Sequence, residues 1–340
     1  MIDFRYHLVS IVAVFLALAI GIVLGSTELR GAAFTALDRT SSALSAKLNA
    51  ANNENSSLQQ QVNGDKAFAQ AAEPVLLAHL LDGKRAVIIT APGAPAGVVN
   101  GITTALGDAG ASVTGQVALT TKFADTAGSN LSLLNQLTQQ VTPSGMTLAN
   151  GSPQQQAAQV LASAILSSSS GQPGSSQPGN GQASQSAQTI LQSYAQGGFL
   201  TISGQPASRA TLAVIVTAAS PAAAGNPDPA NQAIVSLATE LGQASQATVV
   251  AGASAASGPG SAIAAVRASG AANTASTVDN ADAVSGQIVA VQALEQQVHG
   301  HKPGSYGTQP DASAAAPSPA PTPSASSGTT ANTPTAKGKK

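Results

Sequence analysis

The chain has 340 residues and a net charge of −1; 9% of them are charged, 3% are aromatic, and Cys and Trp are absent. No basic footprint or stacking indole points to nucleic acid, and the missing Cys excludes disulfides and any thiolate metal site. The length allows one or two domains.

Residues 1–26 read as a membrane anchor. A polar cap with Asp3, Arg5 and His7 precedes an apolar run from Leu8 to Gly25. The run is about 18 residues, against the roughly 20 that a spanning helix needs. A cleaved signal peptide would carry an apolar core of about 7–15 residues and a small-x-small site. Val23-Leu24-Gly25 fits that site poorly, so an uncleaved single-pass helix in membrane lipid is expected. Arg5 before the helix and Arg30 after it leave the positive-inside balance nearly even. The short N-terminal side and the charge-poor, Cys-free body favour an N-terminus inside and a body outside the cytoplasmic membrane. Asp3, Arg5 and His7 read as interfacial anchors or as contacts to a partner helix.

Residues 27–73 read as a coiled-coil helix. Leu37, Leu44, Ala51 and Leu58 recur every seven residues, and Ser41, Leu48, Asn55 and Val62 follow each by four. As d and a positions they form a seam on which parallel chains anchored at one end would pair. A homo-oligomer through Leu37, Leu44, Leu48, Leu58 and Val62 is one expectation. A single amphipathic helix packed on its own domain is the other.

Pro74 is expected to break the helix and open an α/β domain over 74–307. Strands are predicted at Ala86–Thr90, Ser112–Leu119, Thr211–Thr217 and Gln246–Gly252, with an edge strand at Thr274–Val278. Helices are predicted at Val98–Ala109, Asn130–Gln140, Gln154–Leu166, Ala230–Leu241 and from Pro259 to Ala268. Alternation of this kind implies a parallel sheet with right-handed crossovers, Rossmann-like or flavodoxin-like in layout. The Ser/Gly/Gln/Pro-rich stretch at about 167–185 reads as a disordered insertion, and the Pro/Ala/Ser/Thr-rich 308–340 as a disordered tail ending in Lys337, Lys339 and Lys340.

No catalytic constellation emerges, and the chain is read as non-enzymatic. Gly93 to Gly97 follows the first strand, but it lacks GxGxxG spacing, and Pro92 and Pro95 remove amide donors that a phosphate turn needs. No G-x-S-x-G elbow is present. The histidines are His7, His79, His299 and His301. His299 and His301 flank Gly300, with Glu295 one helical turn earlier. Imidazoles two apart can share Cu(II) with backbone nitrogens, which makes His299 and His301 the candidate metal ligands. The plainer reading is a pair of exposed polar residues at a helix end.

The opening MIDFRYHLVSIVAVFLALAIGIVLGS and the stretch from Val266 to Gly307 carry a resemblance. The latter holds Val266-Arg267, Ser276-Thr277-Val278-Asp279-Asn280, Gly286, and Gly304-Ser305-Tyr306-Gly307. With Val87-Ile88-Ile89 followed by Pro92-Gly93, these resemble the actinobacterial copper transporter family MctB over about residues 1–307. The resemblance implies an envelope protein of copper transport, efflux and homeostasis, with the copper ion transported or transiently bound. It also implies a channel in the mycobacterial outer membrane. The residues themselves point elsewhere, because an outer-membrane barrel needs strands of about ten residues in a closed ring. The alternative function is a non-enzymatic envelope scaffold that binds a membrane-protein partner through its coiled coil and α/β domain. Ser276 to Asn280 with Asp282 would then be a docking surface, or else a strand-to-helix cap at Asn280.

Overall fold

A computed structural model describes residues 4–166, 180–207, 209–218 and 229–318. The chain divides into two compact units, Met1–Ala67 and Phe68–Lys340. Asp3 and the lysines at 337, 339 and 340 lie outside the described residues.

The first unit is helical throughout its described part. Helix α1 (Phe4–Leu77) runs for 74 residues. Its segment Tyr6–Gly25, 20 residues long, has the length and apolarity to cross a membrane. Leu37, Leu44, Leu48, Leu58 and Val62 are all exposed, from 52% to 67%.

In the second unit, Pro74 lies inside α1 and the helix continues to Leu77, so the expected break at Pro74 is corrected. Burial explains the extra turn. Leu77 and Leu81 are buried against Ile102, Leu106 and Ala109, and the carbonyl of Pro74 accepts the N–H of Ala78 at 3.1 Å. Glu73 shares this buried side; its Oε1 has no hydrogen-bond partner. Desolvation, and then the charge of Asp108, raises its pKa above the ordinary carboxylate value.

The sheet comprises β1 (Arg85–Thr90), β2 (Ser112–Leu119), β3 (Leu200–Gly204), β4 (Leu212–Val216), β5 (Ala247–Ala251), β6 (Ser276–Val278) and β7 (Ser305–Tyr306). Its order is β3-β2-β1-β4-β5-β6-β7. All neighbours pair parallel except β2 with β3. The described helices are α2 (Ala96–Asp108), α3 (Thr121–Ala124), α4 (Gly128–Val141), α5 (Pro153–Ile165), α6 (Asn180–Gln196), α7 (Pro229–Ala244), α8 (Ala262–Arg267) and α9 (Val284–Val298).

Side chains alternate across each strand, so a strand covered on both faces must be apolar throughout. In β4, Ala213 and Ile215 enter one core with helices α5 to α8, while Leu212, Val214 and Val216 enter the other with α2 and α9. Strands β1 and β5 divide likewise, with Ile89 and Val250 on the first side and Ile88 and Val249 on the second.

Several expectations are corrected. β6 lies between β5 and β7, not at an edge, because the chain returns after α9 to add Ser305 and Tyr306 beside it. Helix α8 starts after Ser261, whose Oγ accepts the Ala264 N–H at 3.1 Å, rather than at Pro259. Of the expected insertion, residues 180–185 belong to α6, and 167–179 lie outside the described residues. Of the expected tail, 308–318 are ordered. The Ser313 N–H donates to the Ser305 carbonyl at 2.8 Å, and Ala314 bridges to Tyr306.

Candidate functional site

His299 and His301 terminate α9. Gly300 has φ of +81°, the left-handed conformation that closes a helix. Its N–H donates to Gln297 O at 2.9 Å, and the His301 N–H donates to Gln296 O at 3.0 Å. This paired return is a Schellman cap, which satisfies the last helical carbonyls. The His-Gly-His spacing therefore has a structural cause of its own. His299 Nε2 lies 3.3 Å from Glu295 Oε1, with the imidazole 63% exposed. His301 is exposed. Among the described residues, no three of His, Cys, Asp or Glu gather into a metal-binding group.

The Ser276 to Asn280 stretch lies inside the fold. All five residues are buried, and Asp279 is fully so, which removes it as a docking surface. Asp279 Oδ2 accepts from Arg267 Nη2 at 2.9 Å, and Oδ1 accepts from the Thr308 N–H at 2.7 Å. Arg267 also donates through Nε to Thr277 Oγ1 at 2.9 Å and through Nη1 to Asp311 at 2.7 Å. One buried guanidinium and one buried carboxylate thus bind α8, β6 and residues 308–311 into a knot. Gly307 is required beside it, since a Cβ there would meet the Asp279 carboxylate. The expected cap at Asn280 is also corrected: Ala283 precedes α9 and no side chain caps it. Gly286 instead lets α9 approach the Asn280 carbonyl. Asp282 accepts from the N–H and Oγ of Ser254, each at 2.9 Å.

A crevice opens at the C-terminal ends of β1 and β4. The connections leave these two strands in opposite directions along the sheet, which is where parallel α/β sheets form ligand clefts. Its volume is about 710 Å³, and its lining includes Pro92, Lys122, Asp125, Asn130, Ala218 and Asn231. Residues 219–228, which follow Ala218, lie outside the described residues. Asp125 accepts from the Ala127 N–H at 2.7 Å and from Asn130 Nδ2 at 2.6 Å. Those bonds, the backbone one foremost, hold its carboxyl below the ordinary range. Lys122 Nζ donates to Gly197 O at 2.9 Å and sits 4.9 Å from the Phe199 ring centre. Sequence reasoning reached this crevice only through the Gly93 turn. The Thr120–Asp125 segment has no motif and becomes recognisable only once β2 is placed beside β1.

The comparisons with known proteins agree over nearly the whole chain. The family model described as "Copper transport outer membrane protein, MctB" matches residues 1–317. A protein of Mycobacterium tuberculosis named copper transporter MctB is 30% identical over 316 residues, covering 91% of this chain and 96% of that protein. The Mycobacterium bovis protein of the same name gives the same figures. The Mycobacterium leprae one is 29% identical over 315 residues, covering 90% of this chain and 96% of its own length. The match takes in the N-terminal apolar helix and the sheet alike, and the chain is a member of the MctB family.

Proposed function

We propose that this chain is a non-enzymatic, membrane-anchored envelope protein of copper transport and copper homeostasis. The observation that carries the reading is the family match over residues 1–317, which takes in both the anchor and the α/β unit. Tyr6–Gly25 holds the chain in lipid, with the N-terminus inside and the α/β unit on the extracytoplasmic side. The described strands are two to eight residues long, shorter than the roughly 9–11 of a spanning β-strand. The sheet also keeps two edges, and a lipid-spanning sheet must close. In this reading the helix makes the membrane contact, in the cytoplasmic membrane, and the description of the matching family supports the outer membrane as the alternative.

The α/β unit is flavodoxin-like in this reading. Without the antiparallel β3, its strands run 2-1-3-4-5-6 in chain order, an extension of the flavodoxin-like 2-1-3-4-5. The exposed heptad stripe supports self-association through Leu37, Leu44, Leu48, Leu58 and Val62. His299 and His301 are the proposed transient copper contacts. A deletion strain tests the reading. It should be copper-sensitive and rescued by the intact gene, and unchanged copper tolerance would overturn the assignment. Failure of a His299→Ala/His301→Ala gene to rescue would place copper on those imidazoles; full rescue would remove them from the mechanism.

A second reading, an envelope scaffold without copper of its own, is favoured by the same exposed stripe, which could receive a different membrane protein. Co-purification of a single stoichiometric partner with unaltered copper tolerance would select it.

A further inference from the structure

The second unit carries an apolar patch on its only described segment of α1. Phe68 is 76% exposed, Val75 79% and Leu76 50%. On the same turns Glu73 and Leu77 are buried. At about 100° per residue, Phe68 and Val75 point well away from the buried pair and Leu76 lies on the flank between them, so these turns have one face for their own core and another left uncovered. Exposed apolar side chains grouped in this way mark an interaction surface.

The sequence identifies what covers it. Counted onward from Val62 at a, the seven-residue register places Asp65 at d, Lys66 at e, Phe68 at g, Ala72 at d, Val75 at g and Leu76 at a. The patch therefore falls on the register of the stripe at Leu37 to Val62. Asp65 would be the misplaced residue, a carboxylate at a seam position. In a parallel pair, however, a d side chain enters a hole whose walls include the partner's e residue. Asp65 of each copy then meets Lys66 of the other, twice across the axis. A foreign helix has no reason to offer a cation there, whereas a second copy does so by symmetry. Anchoring both chains through Tyr6–Gly25 keeps them parallel and in register.

We infer that Phe68, Val75 and Leu76 form a head-proximal interface with a second copy of this chain, extending the pairing to the edge of the α/β unit. This inference rests on the self-association proposed above and adds a location to it.

The absence of Cys makes the test direct. Single Leu44→Cys, Leu76→Cys and Ala67→Cys variants of the full chain are oxidised mildly in membranes and read as cross-linked dimer. Ala67 occupies f, away from the seam. Leu76→Cys should cross-link about ten times faster than Ala67→Cys, as fast as Leu44→Cys, because the pairing raises the local thiol concentration. Cross-linking at Leu44→Cys with Leu76→Cys no faster than the control overturns this inference and leaves the proposed self-association standing. Slow cross-linking at both overturns the two together. A Phe68→Lys/Val75→Lys pair added to Leu76→Cys should abolish the fast reaction, and its persistence would mean that these side chains do not form the contact.

Discussion

Strand β4 and the heptad stripe of α1 are both strongly patterned, yet they meet opposite fates. Every residue of Leu212–Val216 is buried, whereas Leu37, Leu44, Leu48, Leu58 and Val62 are at least half exposed. The strand is apolar on both faces, and helices of the same chain cover each face. The stripe is one narrow seam on a polar helix, and within the described residues nothing covers it. A continuous apolar run can be satisfied inside one chain. A period of seven is the pattern by which helices pair in coiled coils, and the self-association proposed above is one way to cover it.

The largest effect is expected where the self-covered unit buries charge. Arg267→Ala leaves Asp279 buried without its cation and should destabilise the protein by about 3–5 kcal/mol, read as a large fall in the midpoint of thermal unfolding. A midpoint within about a degree of the parent would show that the knot does not hold the sheet edge. Ile215→Ala, which opens a cavity in the fully buried centre of β4, should cost about 2–5 kcal/mol by denaturant titration. A cost near zero would mean that the core is far looser than its burial implies.

Glu73 sharpens the comparison at the place where α1 meets the core. Its carboxyl pKa is raised in the folded protein, by desolvation first and Asp108 second. The folded state therefore holds the proton more tightly than the unfolded state. The stability it contributes is fully present below the unfolded pKa, about 4.3, and is lost as pH rises through the raised folded value. Glu73→Gln should flatten that fall and leave the protein more stable than the parent at pH 7; an unchanged pH–stability curve would sink the idea. Least of all should the α/β unit respond to Leu44→Asp/Leu48→Asp. Its unfolding free energy should stay within about 0.5 kcal/mol of the parent, while light scattering shows loss of self-association. Destabilised unfolding would show instead that the stripe packs on the chain's own core.

Legibility followed how local each cause was. The central strands were readable because burial on both faces forces an apolar run; Ser112–Leu119 carries the bounds predicted for it, and the others differ by a residue or so. Strand β3 escaped because Leu200-Thr201-Ile202-Ser203-Gly204 has little apolar content and pairs only at an edge. Helix α6 was hidden by its Gln- and Ser-rich surface, although Ala187, Ile190, Leu191 and Tyr194 mark a buried stripe at helical spacing. Tyr194 shows how deep that stripe lies. Burial pushes its pKa up to about 12, and its hydroxyl is 2.8 Å from Thr138 Oγ1.

Among the candidate sites, His299 and His301 were visible as neighbours, but only the Gly300 turn explains their spacing. The Ser276 to Asn280 motif stood out as polar and so looked like a surface. Its actual role depends on Arg267, at the end of the preceding helix, and on Thr308 and Asp311, which return to it some thirty residues later.

By itself the sequence determined the membrane-length helix, the seven-residue stripe and the parallel core strands, because each follows from the spacing of apolar residues along a few turns or one strand. Only the tertiary structure decided that Pro74 does not end α1, that Asp279 is buried in a knot and that a crevice opens between β1 and β4. Those outcomes depend on contacts between segments far apart in the chain, where burial and ion pairing outweigh local preference.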